Sequence, residues 1–353
     1  MTTIAAVRAA LPAHRYPQQV LTAEFARHLE PRRARVLERF HRSAQVRTRH
    51  LALPLERYAE LDGFGAANEE FIRAAVDLGA QALTGALADA GLEPRDVDVI
   101  YFTTVTGVAA PSIDARIATR IGLRPDVKRV PMFGLGCVAG AAGIARLHDH
   151  LKGAPDDVAV LVSVELCSLT IQMTDDSIAN LVASGLFGDG ATAVVAVGDQ
   201  RVGSVPNVSG PRVLDSRSHL YPDSLRTMGW DVTGAGLKIV LDADVPTLVR
   251  AYLGDDVRGF LGDHGLAVGD VSTWVSHPGG PKVIEAIEET LELPDGALEL
   301  TWRSLATIGN LSSSSVLHVL RDTLDKRPAR ETTGVLMAMG PGFCSELVLL
   351  EWI

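Results

Sequence analysis

Apolar residues in this chain gather in short unbroken runs rather than in strict alternation. The runs at 97–104, 158–164 and 191–197 are rich in Val, Ile and Ala and are bounded by charged or turn residues. Such runs predict strands buried on both faces. Between them, residues 71–90 carry apolar side chains at helical spacing, with Gly91 placed as a C-cap. The second half repeats the theme. Residues 271–276 read as a strand, 281–291 as a helix, and 312–326 as a further helix opening after Gly309-Asn310. Residues 334–339 and 345–352 read as paired closing strands around Gly340-Pro341-Gly342. Strands alternating with helices predict a layered, mostly parallel α/β structure. Each half ends in a glycine turn that leads into its last strand. That repeat predicts a duplication, with one unit over residues 1–200 and another over 201–353.

A chain of 353 residues with 47% hydrophobic side chains can bury a large core. Only 5% are aromatic, so small aliphatic residues do the filling and favour close helix-on-sheet packing. The net charge of -10 argues against general nucleic-acid binding. Cys137, Cys167 and Cys344 leave one thiol over in any pairing and show no zinc spacing. A reducing cytoplasm is therefore expected, with no signal peptide, no membrane span and no metal.

The densest chemistry lies in Gly134-Leu135-Gly136-Cys137-Val138-Ala139-Gly140. An apolar run ends in a tight turn, the cysteine follows, and a small-residue helix continues from it. A thiol at a helix N-terminus is placed to act as a nucleophile, although a free cysteine is as often a small buried hydrophobe. Partners are offered further along. His277 follows an apolar strand and precedes Pro278-Gly279-Gly280, at a strand end where sites form. Asn310 precedes the helix that starts the Ser312–Ser315 run, and the duplication makes its turn the counterpart of the Cys137 turn. An imidazolium at His277 would support a thiolate. An imidazole N–H and the Asn310 amide can both donate to one oxygen, forming a pocket for an enolate or thioester oxyanion.

Taken together, these segments resemble the type III polyketide synthases, the chalcone-synthase-like branch of the thiolase-fold condensing enzymes. The resemblance spans nearly the whole chain. It is carried by the Cys137 segment and by Leu186-Phe187-Gly188-Asp189-Gly190-Ala191, His277-Pro278-Gly279-Gly280-Pro281, Gly309-Asn310-Leu311-Ser312-Ser313 and Gly340-Pro341-Gly342-Phe343. It implies a thiolase-like duplicated αβαβα layered fold, a homodimer, CoA thioesters as substrates and no cofactor. It implies that Cys137 holds the starter and growing chain. His277 and Asn310 would drive malonyl-CoA decarboxylation, and Phe187 would stand as an aromatic gatekeeper.

Some positions differ from the plant pattern. Ile239 stands where a second gatekeeper Phe is usual, Met339 and Ala338 replace part of the glycine loop, and Ala110 replaces a Met that reaches into the partner's cavity. Thr106, Ala110 and Cys167 match small positions that open an acyl tunnel in bacterial alkylpyrone-type members, and Thr170 joins them on the substrate side. The expectation is a medium- or long-chain acyl-CoA starter, extended with malonyl-CoA and closed to a pyrone or phenolic ring. Seven arginines between Arg32 and Arg49 form a basic cluster, in which Arg39 aligns with a residue that meets CoA phosphates. The alternative is a single-condensation β-ketoacyl synthase. That class usually carries His-Gln-Ala-Asn where this chain has His277-Pro278-Gly279-Gly280.

Overall fold

The structure is a computed structural model, and it describes residues 1–173, 175–208 and 210–353. The first half runs β1 (Thr2–Ala10), β2 (His14–Pro17), α1 (Gln18–Ala26), α2 (Pro31–Ser43), β3 (Thr48–Leu51), α3 (Gly63–Ala90) and β4 (Val99–Thr104). It continues with α4 (Ile113–Ile121), β5 (Lys128–Phe133), α5 (Ala139–Gly153), β6 (Val158–Leu166), α6 (Ile178–Leu186) and β7 (Asp189–Gly198). The second half opens with β8 (Arg212–Leu220), β9 (Met228–Thr233), β10 (Gly236–Leu241), α7 (Val245–Leu248), α8 (Gly254–Asp263) and β11 (Val271–Ser276). It closes with α9 (Pro281–Leu291), α10 (Glu299–Ile308), α11 (Ser313–Lys326), β12 (Thr333–Gly340) and β13 (Cys344–Glu351).

One nine-stranded sheet has the order β11-β12-β13-β8-β1-β7-β6-β4-β5. From its middle outward the two sides repeat. Each has an opening strand, then the last strand of its half, then the strand before that one in the chain. The sides join at β1 and β8, where Thr2 pairs with Val213 and Thr3 with Arg212. The expected mostly parallel sheet is corrected: β4–β5, β4–β6 and β11–β12 are parallel, and the other junctions are antiparallel. β12 and β13 join by a short return, which gives antiparallel pairing, whereas β6 and β7 pair antiparallel across a connection that holds α6.

Helices α5 and α11 lie between the two sides and contact strands of both. α3 covers the outer face of the first side, and α8 and α9 pack in a separate cluster against the second. The result is the layered α/β thiolase-like arrangement. The central pair packs unusually closely because α5 begins with Ala139-Gly140-Ala141-Ala142-Gly143. A Cβ on Gly140 would lie 2.3 Å from the Ser313 carbonyl oxygen, and one on Gly143 would lie 2.5 Å from Leu161. Small residues here bring the starts of α5 and α11 together. The predicted α3 starts earlier than its pattern indicated but ends where expected, on Gly91 in the left-handed conformation.

Candidate active site

Cys137 lies in a 3-10 turn, Gly136–Val138, that runs directly into α5. Gly136 has φ +54, and the Pro341 ring of the β12–β13 turn would sit 2.7 Å from any Cβ there. The closing hairpin therefore braces the Cys137 turn. At the start of α11 the backbone is also unusual: Ser312 is a non-glycine residue at φ 48. Its hydroxyl accepts from the Cys137 thiol at 3.6 Å, and its N–H donates to Asn310 Oδ1 at 2.8 Å. With that oxygen occupied, the Asn310 amide nitrogen is turned toward Gly279, whose carbonyl it meets at 3.4 Å. His277 continues from β11, and its N–H bonds to the Met337 carbonyl on the neighbouring strand. Both imidazole nitrogens are buried without a hydrogen-bond partner among the described residues.

The three side chains line one cavity of about 380 Å³. Its walls are mainly apolar, with Phe187, Trp230, Ile239, Met339 and Phe343 among them. Burial opposes charge on both partners. It pushes the Cys137 thiol up to about 12 and His277 down to about 3. Neighbouring Glu165 adds to the rise at Cys137, while the bond to Ser312 works against it. The imidazolium expected at His277 therefore gives way to a neutral ring. Moving a proton from Cys137 to His277 leaves the net charge of the site unchanged, and a neutral ring still offers one donor and one acceptor.

Other expected site residues divide into groups. Cys167, Phe187 and Ile239 line both the main cavity and a narrow recess of about 10 Å³ beside it, Thr170 lines the recess, and Met339 lines the main cavity. Thr106 and Ala110 form part of neither wall. The Thr106 hydroxyl is held by the Glu165 carboxylate at 3.0 Å and accepts from the Leu166 N–H, which ties it into the core. Ala110 lies exposed in the loop after β4. Arg39 is exposed on α2, beside Phe40, which is part of the cavity wall. Arg49 is not a surface cation at all: it is 1% exposed.

Two further residues, Ser312 and Trp230, line the cavity, and a third, Glu165, acts on Cys137 through its charge. Ser312 touches the Cys137 thiol. Trp230 is opposite Ile239 in the β9–β10 ladder, so both side chains fall on the cavity face, and an aromatic returns from the facing strand. Glu165 is buried at the end of β6. Its carboxylate accepts from the Val105 N–H, Thr104, Thr106 and Ser313, yet burial raises it to about 7. The one acid in a strand that is apolar apart from Ser163 was the visible signal for Glu165, and the four-serine run was the signal for Ser312.

No group of three or more potential metal ligands occurs among the described residues, and no described helix is long and apolar enough to cross a membrane. The model of the N-terminal domain of chalcone and stilbene synthases matches residues 1–200, and that of their C-terminal domain matches 213–353. The chain is 56% identical to a 1,3,6,8-tetrahydroxynaphthalene synthase of Streptomyces peucetius subsp. caesius, over 99% of this chain and 93% of that one. It is 32% identical to the synthase of the same name from Streptomyces griseus, over 100% and 93%. Among solved structures, the tetrahydroxynaphthalene synthase of Streptomyces coelicolor A3(2), described as a bacterial type III polyketide synthase, superposes with TM-score 0.92. It shares 30% identity and 99% coverage of both chains. This chain belongs to the chalcone and stilbene synthase family and is a type III polyketide synthase, a condensing acyltransferase.

Proposed function

We propose that Cys137 carries the acyl chain while His277 and Asn310 generate the carbon nucleophile from malonyl-CoA. One observation carries this reading: three side chains from distant segments line a single cavity, and both ring nitrogens of His277 have no hydrogen-bond partner among the described residues. The Cys137 sulfur attacks an acyl-CoA carbonyl, His277 takes the thiol proton, and CoA leaves as its thiol. The His277 N–H and the Asn310 amide then donate to the thioester oxygen of malonyl-CoA. The bond to the carboxylate breaks, CO2 departs, and the electron pair becomes the enolate held by those donors. The enolate carbon attacks the Cys137 thioester, which releases the sulfur and lengthens the chain by two carbons.

For the starter, malonyl-CoA is the first choice. The relative at 56% identity is named for a ten-carbon tetrahydroxynaphthalene, and ten carbons are five two-carbon units. Thr106 lies off the wall of this chain's cavity, and Phe187 and Trp230 bound it with aromatic surface. A medium- or long-chain acyl starter is the second reading. It is favoured by the apolar lining at Cys167, Ile239 and Met339, because each buried methylene is worth roughly 0.8 kcal/mol when a void receives it. The test is to weigh the products formed from malonyl-CoA alone and with acyl-CoAs of graded length. A ten-carbon aromatic from malonyl-CoA alone supports the first reading. Products only with an added acyl-CoA support the second. A single extension in every case would return the reading to a β-ketoacyl synthase.

The same proposal takes residues 1–200 as the unit carrying the nucleophile and 201–353 as the unit carrying His277 and Asn310. It includes a cytoplasmic homodimer that needs no cofactor beyond its CoA substrates. Phe133 on edge strand β5 is 55% exposed and Val108 is 44% exposed, in the loop that also holds Ala110. Apolar surface of this kind suits self-association.

A further inference from the structure

We propose that Arg49 is a positioning residue for the condensation, holding Asn310 and the Phe187 wall in register. The proposal rests on the reading of Asn310 as an enolate donor. Arg49 belongs to the basic cluster of the sequence but points inward from β3, among the largest fully buried side chains. Its Nε donates to Gln18 Oε1 at 3.0 Å and its Nη1 to the Phe187 carbonyl at 2.7 Å. Nη2 is buried without a hydrogen-bond partner among the described residues. Burying a guanidinium this way is costly, and a well-packed hydrophobe of similar volume is often no worse for stability. A hydrophobe could not, however, hold the Phe187 carbonyl.

What that carbonyl anchors is the Asn310 turn. The Leu186 carbonyl accepts from the Asn310 N–H at 2.9 Å, and the Gly188 N–H donates to the Asn310 carbonyl at 2.9 Å. Both backbone groups of Asn310 thus hang on the short run that Arg49 grips in its middle. The stem of Arg49 closes the other side, since a Cβ on Gly309 would lie 3.2 Å from its Cγ and Cδ. Gln18 fixes the guanidinium from behind and ties itself to the Gly185 carbonyl at 2.9 Å. Arg49 therefore touches both strands of the crossing that sets where the Asn310 amide and the Phe187 ring lie. Cys137 itself lies on the turn into α5, braced by Pro341 of the closing hairpin.

The test compares Arg49→Met, Arg49→Lys and Gln18→Leu with the parent, each alone and with Asn310→Ala. CO2 release from malonyl-CoA, acylation of Cys137 by intact mass, and thermal unfolding are measured. Arg49→Met should slow CO2 release by about 10- to 100-fold, the range of a lost charge-assisted bond and a slightly displaced donor. Acylation of Cys137 should stay within about threefold. The Arg49→Met, Asn310→Ala double variant should be no slower than Asn310→Ala alone, and Arg49→Lys should recover part of the loss. Should Arg49→Met fail to fold, Gln18→Leu carries the test, with a smaller loss confined to CO2 release. Normal CO2 release in folded Arg49→Met or Gln18→Leu overturns the inference, as do equal losses in both reactions or losses that multiply with Asn310→Ala. Unimpaired CO2 release by Asn310→Ala alone instead contradicts the role of Asn310 itself.

Discussion

Gly140→Ala is the sharpest small perturbation this fold offers. The added methyl would be 2.3 Å from the Ser313 carbonyl oxygen and 2.6 Å from a methyl of Val316. Ordinary contact begins near 3.4 Å, so α5 and α11 must separate by about 1 Å where they cross. The first obstacle is backbone and cannot rotate away. Overpacking of this kind costs about 1–3 kcal/mol of stability, and a domain this size should still fold. The larger consequence is at the site. Cys137 is three residues before Gly140, and Ser312 and Asn310 stand directly before the segment that is pushed. A displacement of about 1 Å between nucleophile and donors is worth on the order of 100-fold in rate. The assay is kcat for polyketide formation from malonyl-CoA, read beside the thermal midpoint and the far-UV circular dichroism of the same sample. The expected result is a folded protein with kcat lower by about 30- to 100-fold and a midpoint lower by a few degrees. Wild-type kcat in Gly140→Ala would refute the claim that the α5–α11 contact sets the geometry of the site.

Trp230→Ala should open the wall opposite Ile239 and shift the products toward larger starters, at a stability cost below about 2 kcal/mol because the ring borders a cavity; an unchanged product mass spectrum would remove Trp230 from the cavity wall in solution. Glu165→Gln should flatten the pH dependence of stability. The native carboxyl keeps its proton to about pH 7, while the unfolded one loses it near 4.5. The parent therefore loses stability as pH rises through that window, relative to Gln, by about 3 kcal/mol at about 1.4 kcal/mol per pH unit. Denaturant titrations of both proteins at pH 4.5 and pH 8 read this difference directly, and parallel pH profiles would contradict it.

Much of the fold was legible because its signals are local. The Gly91 cap, the proline-started helix at Pro281 and the Gly340-Pro341-Gly342 turn each act within a few residues. Sheet direction was not legible, since an apolar run buried on both faces looks the same in either direction. At the site, Cys137, His277 and Asn310 were readable from their turns. Trp230 was not, because its importance comes from pairing with Ile239 across a hairpin. Arg49 was misplaced for a related reason. In sequence it stands among exposed arginines, and only the fold reveals that a buried carbonyl at Phe187 waits for its guanidinium.

The account turns on Cys137 being the atom that carries the chain, with His277 and Asn310 acting on the incoming unit. The most direct measurement is intact-protein and peptide mass spectrometry of the parent, Cys137→Ala and His277→Gln after incubation with malonyl-CoA and an acyl-CoA. The account predicts a thioester adduct on Cys137 in the parent, no adduct and no polyketide from Cys137→Ala, and no polyketide from His277→Gln. Polyketide formation at the parental rate by Cys137→Ala would contradict it.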